Sequence, residues 1–355
     1  MKNEKAHVSI IIPCFNVKDY VADCLDSLIN QSHLPDEIIC IDDGSTDDTP
    51  FILQEYSSKY KFIKYIQQAR QGVSKARNKG VESATSDYIL FVDADDFINT
   101  YLVAQFKSSL KSTPNLDLFY FDYCAFKDGE KLTRLNKIVP FDTKSFTSGT
   151  DLLTYLLERK NYSGVVWRYF FKRQLLTQKF IEKNHEDHLI SLSIISQARN
   201  SCYFMNTNAY FHRIRKSSLS NMDIDSNYIN TLKKVLNICI QKINTLPLSD
   251  TAKRNYILVM NMTYLETILK SDKLNSKEIH DDLIKELGLL KILIRIYTNN
   301  KPNILKNILY ALKFAKQHNC SLSTKRALLK CAISKRHPYL DIKNNYEQYS
   351  SMNDF

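Results

Sequence analysis

The segment YILFVDADDF (88–97) puts three aspartates, Asp93, Asp95 and Asp96, within four positions of one another directly after an apolar run. Carboxylates held that close repel unless water or a cation takes up their charge. Two chemistries suit the pattern. One is a solvated turn closing a buried strand. The other is a divalent cation on the carboxylates with an anion on its far side, because hard cations take oxygen ligands. Further polar clusters recur along the chain: Pro13–Asn16 at the end of VSIIIPCFN, Asp42 and Asp43 in IDDGSTDDT, and Arg77 and Asn78 in GVSKARNKG. Later come Glu186 and Asp187 in HEDHLI, then Arg213, Arg215 and Ser218 in HRIRKSS. His185 and His188 flank the acidic pair at a spacing that suits zinc, but two nearby ligands do not make a site.

Other phosphate chemistry is excluded. No two of the seven glycines are spaced G-x-G, and no G-x-x-x-x-G-K-[ST] occurs. A nucleotide would therefore not be held in a dinucleotide fingerprint or a P-loop, which leaves carboxylates and a cation. The eight cysteines include no C-x-x-C pair, so zinc ribbons and thioredoxin-type motifs are absent, and a reducing, cytoplasmic compartment is expected.

The runs between these clusters supply the elements that must position them. VSIIIPCF (8–15), DEIICID (36–42), KFIKYIQQ (61–68) and DYILFVD (87–93) read as strands. VADCLDSLINQS (21–32), TPFILQEYSSKY (49–60) and GVSKARNKGVESA (72–84) read as helices, the second capped by Thr46 or Asp47. This β-α-β-α-β-α-β alternation predicts an α/β fold with a mainly parallel sheet and helices on both faces. Ligands of such sheets lie beyond the carboxyl ends of the strands, and the Pro13–Asn16, Asp42–Asp43 and Asp93–Asp96 clusters all fall there. Farther on, DLFYFDYCAF (117–126) reads as one strand, GTDLLTYLLER (149–159) and DHLISLSIISQA (187–198) as helices, and SCYFMNTNAYFHRIR (201–215) as extended chain. From 226 an all-α extension is expected.

The chain has 355 residues, 44% hydrophobic and 25% charged, enough for two or three packed units. Its net charge of +11 lies wholly in the C-terminal third, since the two signs balance through residue 225. From Leu287 to Leu340 there are eleven Lys or Arg and no acidic residue, on runs such as ILKNILYALKFAKQ. These read either as basic amphipathic helices for an anionic membrane surface or as a solvated face packed on the core. Nucleic acid is not expected as a partner, because no aromatic-plus-glycine binding motif appears. The N-terminal apolar run is too short for a signal peptide, and no window approaches the roughly 18 apolar residues of a membrane span.

VSIIIPCFN, IDDGSTDDT, GVSKARNKG and YILFVDADDF, in this order and spacing, resemble the nucleotide-sugar-binding half of the family 2, GT-A-fold inverting glycosyltransferases, of the kind that builds bacterial cell-surface glycans. VVWRYFFKRQLL (165–176), HEDHLI (185–190) and YFHRIRKSSLS (210–220) resemble segments of that family's acceptor half. The resemblance implies a donor half over 1–100, an acceptor-binding and catalytic half over 101–225, and leaves 226–355 as a basic helical region. It implies transfer of a hexosyl or N-acetylhexosaminyl group from a UDP-sugar to a glycan or lipid-linked acceptor in polysaccharide biosynthesis, with Mn²⁺ or Mg²⁺, at the inner face of the cell membrane.

Residue by residue, Asp93 and Asp95 match the family's D-x-D. Asp95 is expected to ligate the metal, and Asp93 to contact ribose or the metal. Asp43 matches the aspartate on uracil or ribose, Pro13 and Phe15 the walls of the base site, and Asn16 its closing turn. Arg77 and Asn78 are expected to face the diphosphate or the first aspartate cluster. Glu186 would contact the acceptor, and Asp187 would be the general base opposite the leaving group. Arg213, Arg215 and Ser218 match the segment that closes over the diphosphate. His212 stands where the family often has an aromatic, as a third metal ligand or as nothing. Trp167 would stack on an acceptor sugar or sit in the core. A catalytically silent sugar-nucleotide or membrane-binding module and a sugar-phosphate nucleotidyltransferase are the alternatives; the second lacks its expected Gly/Arg/Lys-rich N-terminal loop.

Overall fold

The structure is a computed structural model and describes residues 6–113, 115–129, 142–181, 186–215 and 226–270. The chain divides into two units, one of Met1–Met222 with Thr231–Tyr256, the other of Asp223–Asn230 with Ile257–Phe355. The first holds both sheets.

It opens with β1 (Val8–Cys14), α1 (Val21–Ile29), β2 (Glu37–Asp42), α2 (Thr49–Lys59), β3 (Ile63–Gln67), α3 (Val73–Ser83) and β4 (Tyr88–Phe91). All of β2 and nearly all of β1 are buried, as expected of Ile/Val runs covered on both faces. Pro13 falls where pairing of β1 with β4 has ended, so its missing N–H costs no ladder bond there. Val21, Cys24, Leu25 and Leu28 of α1 recur at helical spacing and are buried. At the start of α2, Asp47 accepts from the Thr49 N–H at 3.0 Å. α3 differs: its buried face includes Ser74, Arg77 and Asn78. It lies so close to β1 that a Cβ on Gly80 would come within 2.3 Å of Ile11 Cγ2.

After β4 come β5 (Phe97–Ile98), α4 (Leu102–Ser112), β6 (Leu118–Phe121), β7 (Tyr123–Lys127), β8 (Asp142–Phe146), α5 (Gly149–Glu158), β9 (Tyr169–Lys172), α6 (Glu186–Gln197), β10 (Ser201–Met205) and β11 (Tyr210–Ile214). The main sheet has the order β3-β2-β1-β4-β9-β6-β10-β8, and a second sheet has the order β5-β11-β7. In the main sheet four neighbouring pairs are parallel and three antiparallel, so it is mainly parallel as expected.

The expected single strand over 117–126 is instead two strands in two sheets. Asp122 marks the break. It is buried between β6 and β7, and its carboxylate accepts from Arg168 Nη2 at 2.9 Å, Asn161 Nδ2 at 2.9 Å and the Tyr203 hydroxyl at 2.7 Å. A buried carboxylate needs such partners, and meeting them turns the chain out of the first sheet. The extended run 201–215 divides in the same way, into β10 and β11. Since β10 pairs parallel with β6 and β11 parallel with β7, the two chains cross between sheets side by side. That crossing carries residues 210–215 toward the end of β4.

Two helices follow, α7 (Ser226–Thr245) and α8 (Asp250–Lys270), so the expected helical extension holds as far as Lys270. The acid-free stretch 287–340 lies outside the described residues. Among the described residues no helix is long and apolar enough to cross a membrane.

Candidate functional site

Four elements converge beyond the end of β4. The turn 93–96 follows β4 directly, with the Asp96 N–H donating to the Asp93 carbonyl at 3.0 Å. Asp96 is only 1% exposed and is committed to β11: it accepts from the Tyr210 hydroxyl at 2.7 Å and the Arg213 N–H at 2.7 Å, and lies 3.1 Å from His212 Nδ1. It is the tie between the turn and β11. Asp93 and Asp95 keep partly exposed side chains on the rim.

Arg77 reaches this turn from α3, and Glu186 and Asp187 reach it from the first turn of α6. Arg77 Nη1 donates to Asp187 Oδ1 at 2.7 Å, and Nη2 lies 3.4 Å from Asp93 Oδ1. Glu186 is buried, 3.6 Å from Arg77 Nη1, and accepts from the Ser74 hydroxyl at 2.7 Å. One guanidinium thus faces three carboxylates. Burial, with Asp96 and Asp95 adding and Arg77 opposing, pushes Asp93 up to about 6. Burial, with Glu186 and Asp93 adding and Arg77 opposing, pushes Asp187 up to about 7. A carboxylate poised there takes and returns a proton near neutral pH. Asn78, by contrast, exchanges hydrogen bonds with the Phe180 backbone and does not face the cluster.

The arginines of β11 differ from each other. Arg215 Nε donates to Asp95, at the rim. Arg213 turns to other partners: Nη2 to Asp23 at 3.0 Å, Nη1 to Asp128 at 3.1 Å and Nε to the Asp95 carbonyl at 2.9 Å. It braces the turn's backbone through Nε, and both Nη groups lie on carboxylates. Ser218 and His185 lie outside the described residues. His188 packs on Gly164, where a Cβ would come 2.0 Å from its Nδ1. Trp167 is 5% exposed, stacked on Tyr210 at 4.4 Å and on His212 at 5.3 Å. Burial favours the core alternative for it, as the platform under His212. Burial alone would lower the His212 pKa, but Asp96, with Asp93 and Asp95 beyond, raises it.

A second part of the rim lies between β1, β2 and α3. Asn16 takes a left-handed backbone, φ 50°, and its side chain accepts from the Thr46 N–H at 2.8 Å. Asp43 is buried and accepts from Gln68 Nε2 at 2.7 Å and from the N–H groups of Gln71 and Gly72 at 2.8 and 2.7 Å. Phe15 and Pro13 are half-buried beside it. The Arg70 guanidinium lies 4.1 Å over the Phe15 ring. Sequence reasoning missed Arg70; its only signal was a cation just ahead of GVSKARNKG.

Among the described residues, no group of three or more His, Cys, Asp or Glu forms a complete metal cage. The donor chemistry nonetheless fits a shared site. Mg²⁺ or Mn²⁺ is commonly held by one or two carboxylates with substrate phosphates completing the shell. Asp93 and Asp95 would supply those oxygens. Asp96 on His212 Nδ1 is the kind of second partner that orients a ligating imidazole through its other nitrogen.

The family model described as glycosyl transferase family 2 matches residues 9–164. An uncharacterized glycosyltransferase of Escherichia coli, YibD, is 30% identical over 264 residues, covering 72% of this chain and 74% of that protein. A poly(ribitol-phosphate) beta-glucosyltransferase of Bacillus spizizenii is 42% identical over 97 residues, covering 26% of this chain and 15% of that protein. Among solved structures, S. aureus TarS 1–349 in complex with UDP-GlcNAc aligns with a TM-score of 0.63 at 18% identity, over 91% of this chain and 90% of that one, a likeness of fold.

Proposed function

The chain is a family 2 glycosyl transferase of GT-A fold, and from that premise we propose that it moves a hexosyl or N-acetylhexosaminyl group from a UDP-sugar to a glycan or lipid-linked glycan hydroxyl, with inversion. The observation that carries the reading is Asp187, a rim carboxylate pushed up to about 7 and joined through Arg77 to the D-x-D turn. Donor and base chemistry then lie on two sides of one guanidinium.

In this mechanism residues 1–100 hold the donor. Phe15 and Pro13 wall the base, Asn16 closes the turn beside it, and Asp43 orients the base or ribose. Asp93 and Asp95, with His212 through Nε2, would hold Mn²⁺ or Mg²⁺ against the diphosphate. When bound, the cation offsets the negative charge that grows on the departing UDP. Arg215 adds a positive charge on the same side, and Ser218 belongs to the same closing segment. Residues 101–225 receive the acceptor, with Glu186 beside its hydroxyl. Asp187 accepts the hydroxyl proton, the freed oxygen forms a bond to the anomeric carbon, and the bond from that carbon to the diphosphate oxygen breaks. Attack opposite the leaving group inverts the configuration.

A hydroxyl-bearing polymer as acceptor is supported by the Bacillus relative, a poly(ribitol-phosphate) beta-glucosyltransferase, and a UDP-sugar by the ligand of the TarS structure. Residues 226–355 would hold the enzyme on the inner face of an anionic membrane through 287–340, because eleven cations without a carboxylate gain most beside an anionic surface. UDP release from a panel of nucleotide sugars, with and without Mn²⁺, tests the donor and metal parts together. A panel without any substrate would leave the silent binding module as the better reading.

A further inference from the structure

The α3 helix carries a strap that the motif alone does not explain. Ser74 and Arg77 are three residues apart, so they share a helical face. Both reach the first turn of α6, Ser74 to Glu186 at 2.7 Å and Arg77 to Asp187 at 2.7 Å. The second arm of the same guanidinium lies 3.4 Å from Asp93. The side chain is 6% exposed, with the Phe180 ring 5.6 Å from its face. Its Nε has no hydrogen-bond partner among the described residues, so its contacts run from the two Nη groups to carboxylates. A donor ligand has to present N–H groups to the incoming phosphates. This guanidinium has both forks directed at the protein's own carboxylates.

We propose that Arg77, assisted by Ser74, is the positioning residue of the base, setting the Asp187 carboxylate against the D-x-D turn, and is not a ligand of the donor. The inference rests on the glycosyltransferase reading of Asp187. Its physical basis is the planar fork. Two N–H arms fixed in one plane bind two carboxylates at a set separation, whereas an ammonium is a single point charge on a flexible stem. Asp93 and Asp187 come from sequence positions far apart and repel each other. Only a cation between them holds both near the place where donor and acceptor meet. A displacement of about 1 Å at such a point costs on the order of 10²-fold in rate.

The test uses the full chain and two variants, Arg77→Lys, which keeps the charge and loses the fork, and Ser74→Ala, which removes only the Glu186 hydrogen bond. UDP affinity in Mn²⁺ is measured by calorimetry, and kcat by UDP release across pH 5–9. Arg77→Lys should lower kcat by roughly 10²-fold and move the acid limb of its pH profile upward, because Asp187 loses the short contact that favours its charged form. Ser74→Ala should lower kcat by a few-fold. Both should bind UDP within about two-fold of wild type, since neither residue is asked to touch it. A tenfold loss of UDP affinity in Arg77→Lys with kcat retained would make Arg77 a donor ligand and overturn the inference. Wild-type kcat and pH profile in both variants would overturn it as well. Loss of turnover in Asp187→Asn checks the underlying reading separately, so the strap can fail while the base assignment survives.

Discussion

Replacing Asp187 by Asn keeps the shape of the side chain and removes its ability to take a proton. Wild-type kcat should climb about tenfold per pH unit below pH 7 and level off above it, since Asp187 is pushed up to about 7. At the plateau Asp187→Asn should lose about 10²–10⁴-fold, the usual worth of a positioned base. The same shift has a consequence for stability. A carboxyl raised from 3.8 to about 7 keeps its proton in the folded chain over a range where the unfolded chain has released it. Its contribution is therefore fully present below pH 3.8 and is lost as pH rises through 7. At about 1.4 kcal/mol per pH unit the loss approaches about 4 kcal/mol by pH 8. Asn is spared that loss, though above about pH 7 Arg77 gives up a charged partner. The stability difference, variant minus wild type, should thus rise with pH between 4 and 8 by up to about 4 kcal/mol. Urea unfolding at pH 4, 6 and 8 beside steady-state UDP release reads both effects. A variant with more than a tenth of wild-type kcat, or a stability difference flat with pH, refutes the argument.

Asp122→Ala should destabilise the fold by about 3–5 kcal/mol in urea unfolding, because Arg168, 1% exposed, would be left as a buried charge without its carboxylate; a change below about 1 kcal/mol would remove Asp122 as the pin between the sheets. Gly80→Ala should cost about 1–3 kcal/mol, since the new Cβ would overlap Ile11 Cγ2 at 2.3 Å and α3 would have to lift from β1. The full chain should sediment with anionic liposomes at low salt and be released at high salt, and deletion of 287–355 should abolish sedimentation while leaving UDP-sugar hydrolysis largely intact. Indifference to anionic liposomes at low salt would remove the membrane role and leave the enzyme.

The first hundred residues were legible because β1, β2 and β4 are mostly apolar runs and the turns carry Pro13, Gly44 and Gly72. The observed bounds of β1 to β4 depart from the expected ones by only one or two residues. The aromatic stretches 117–126 and 201–215 contain no Gly or Pro, so nothing in them announces a change of sheet. Asp122 was the one signal, and its weight depends on Arg168, Asn161 and Tyr203, far away in sequence. The site shows the same division. The D-x-D and E-D pairs can be read as residue types, whereas the partners of a cation cannot. Arg213 and Arg215 look equivalent in HRIRKSS, yet one faces Asp23 and Asp128 and the other faces Asp95. Trp167 could be read as a sugar platform until Tyr210 and His212 were seen stacked on it.

The central claim is that this chain breaks a nucleotide sugar at a cation held by the turn after β4. The most direct measurement is UDP release from a UDP-sugar panel by wild type and Asp95→Ala, each in EDTA and in Mn²⁺. The account predicts release by wild type in Mn²⁺ for at least one sugar, loss of release in EDTA, recovery on adding Mn²⁺ back, and no recovery in Asp95→Ala. Full release in EDTA, or release by Asp95→Ala equal to wild type, would contradict it.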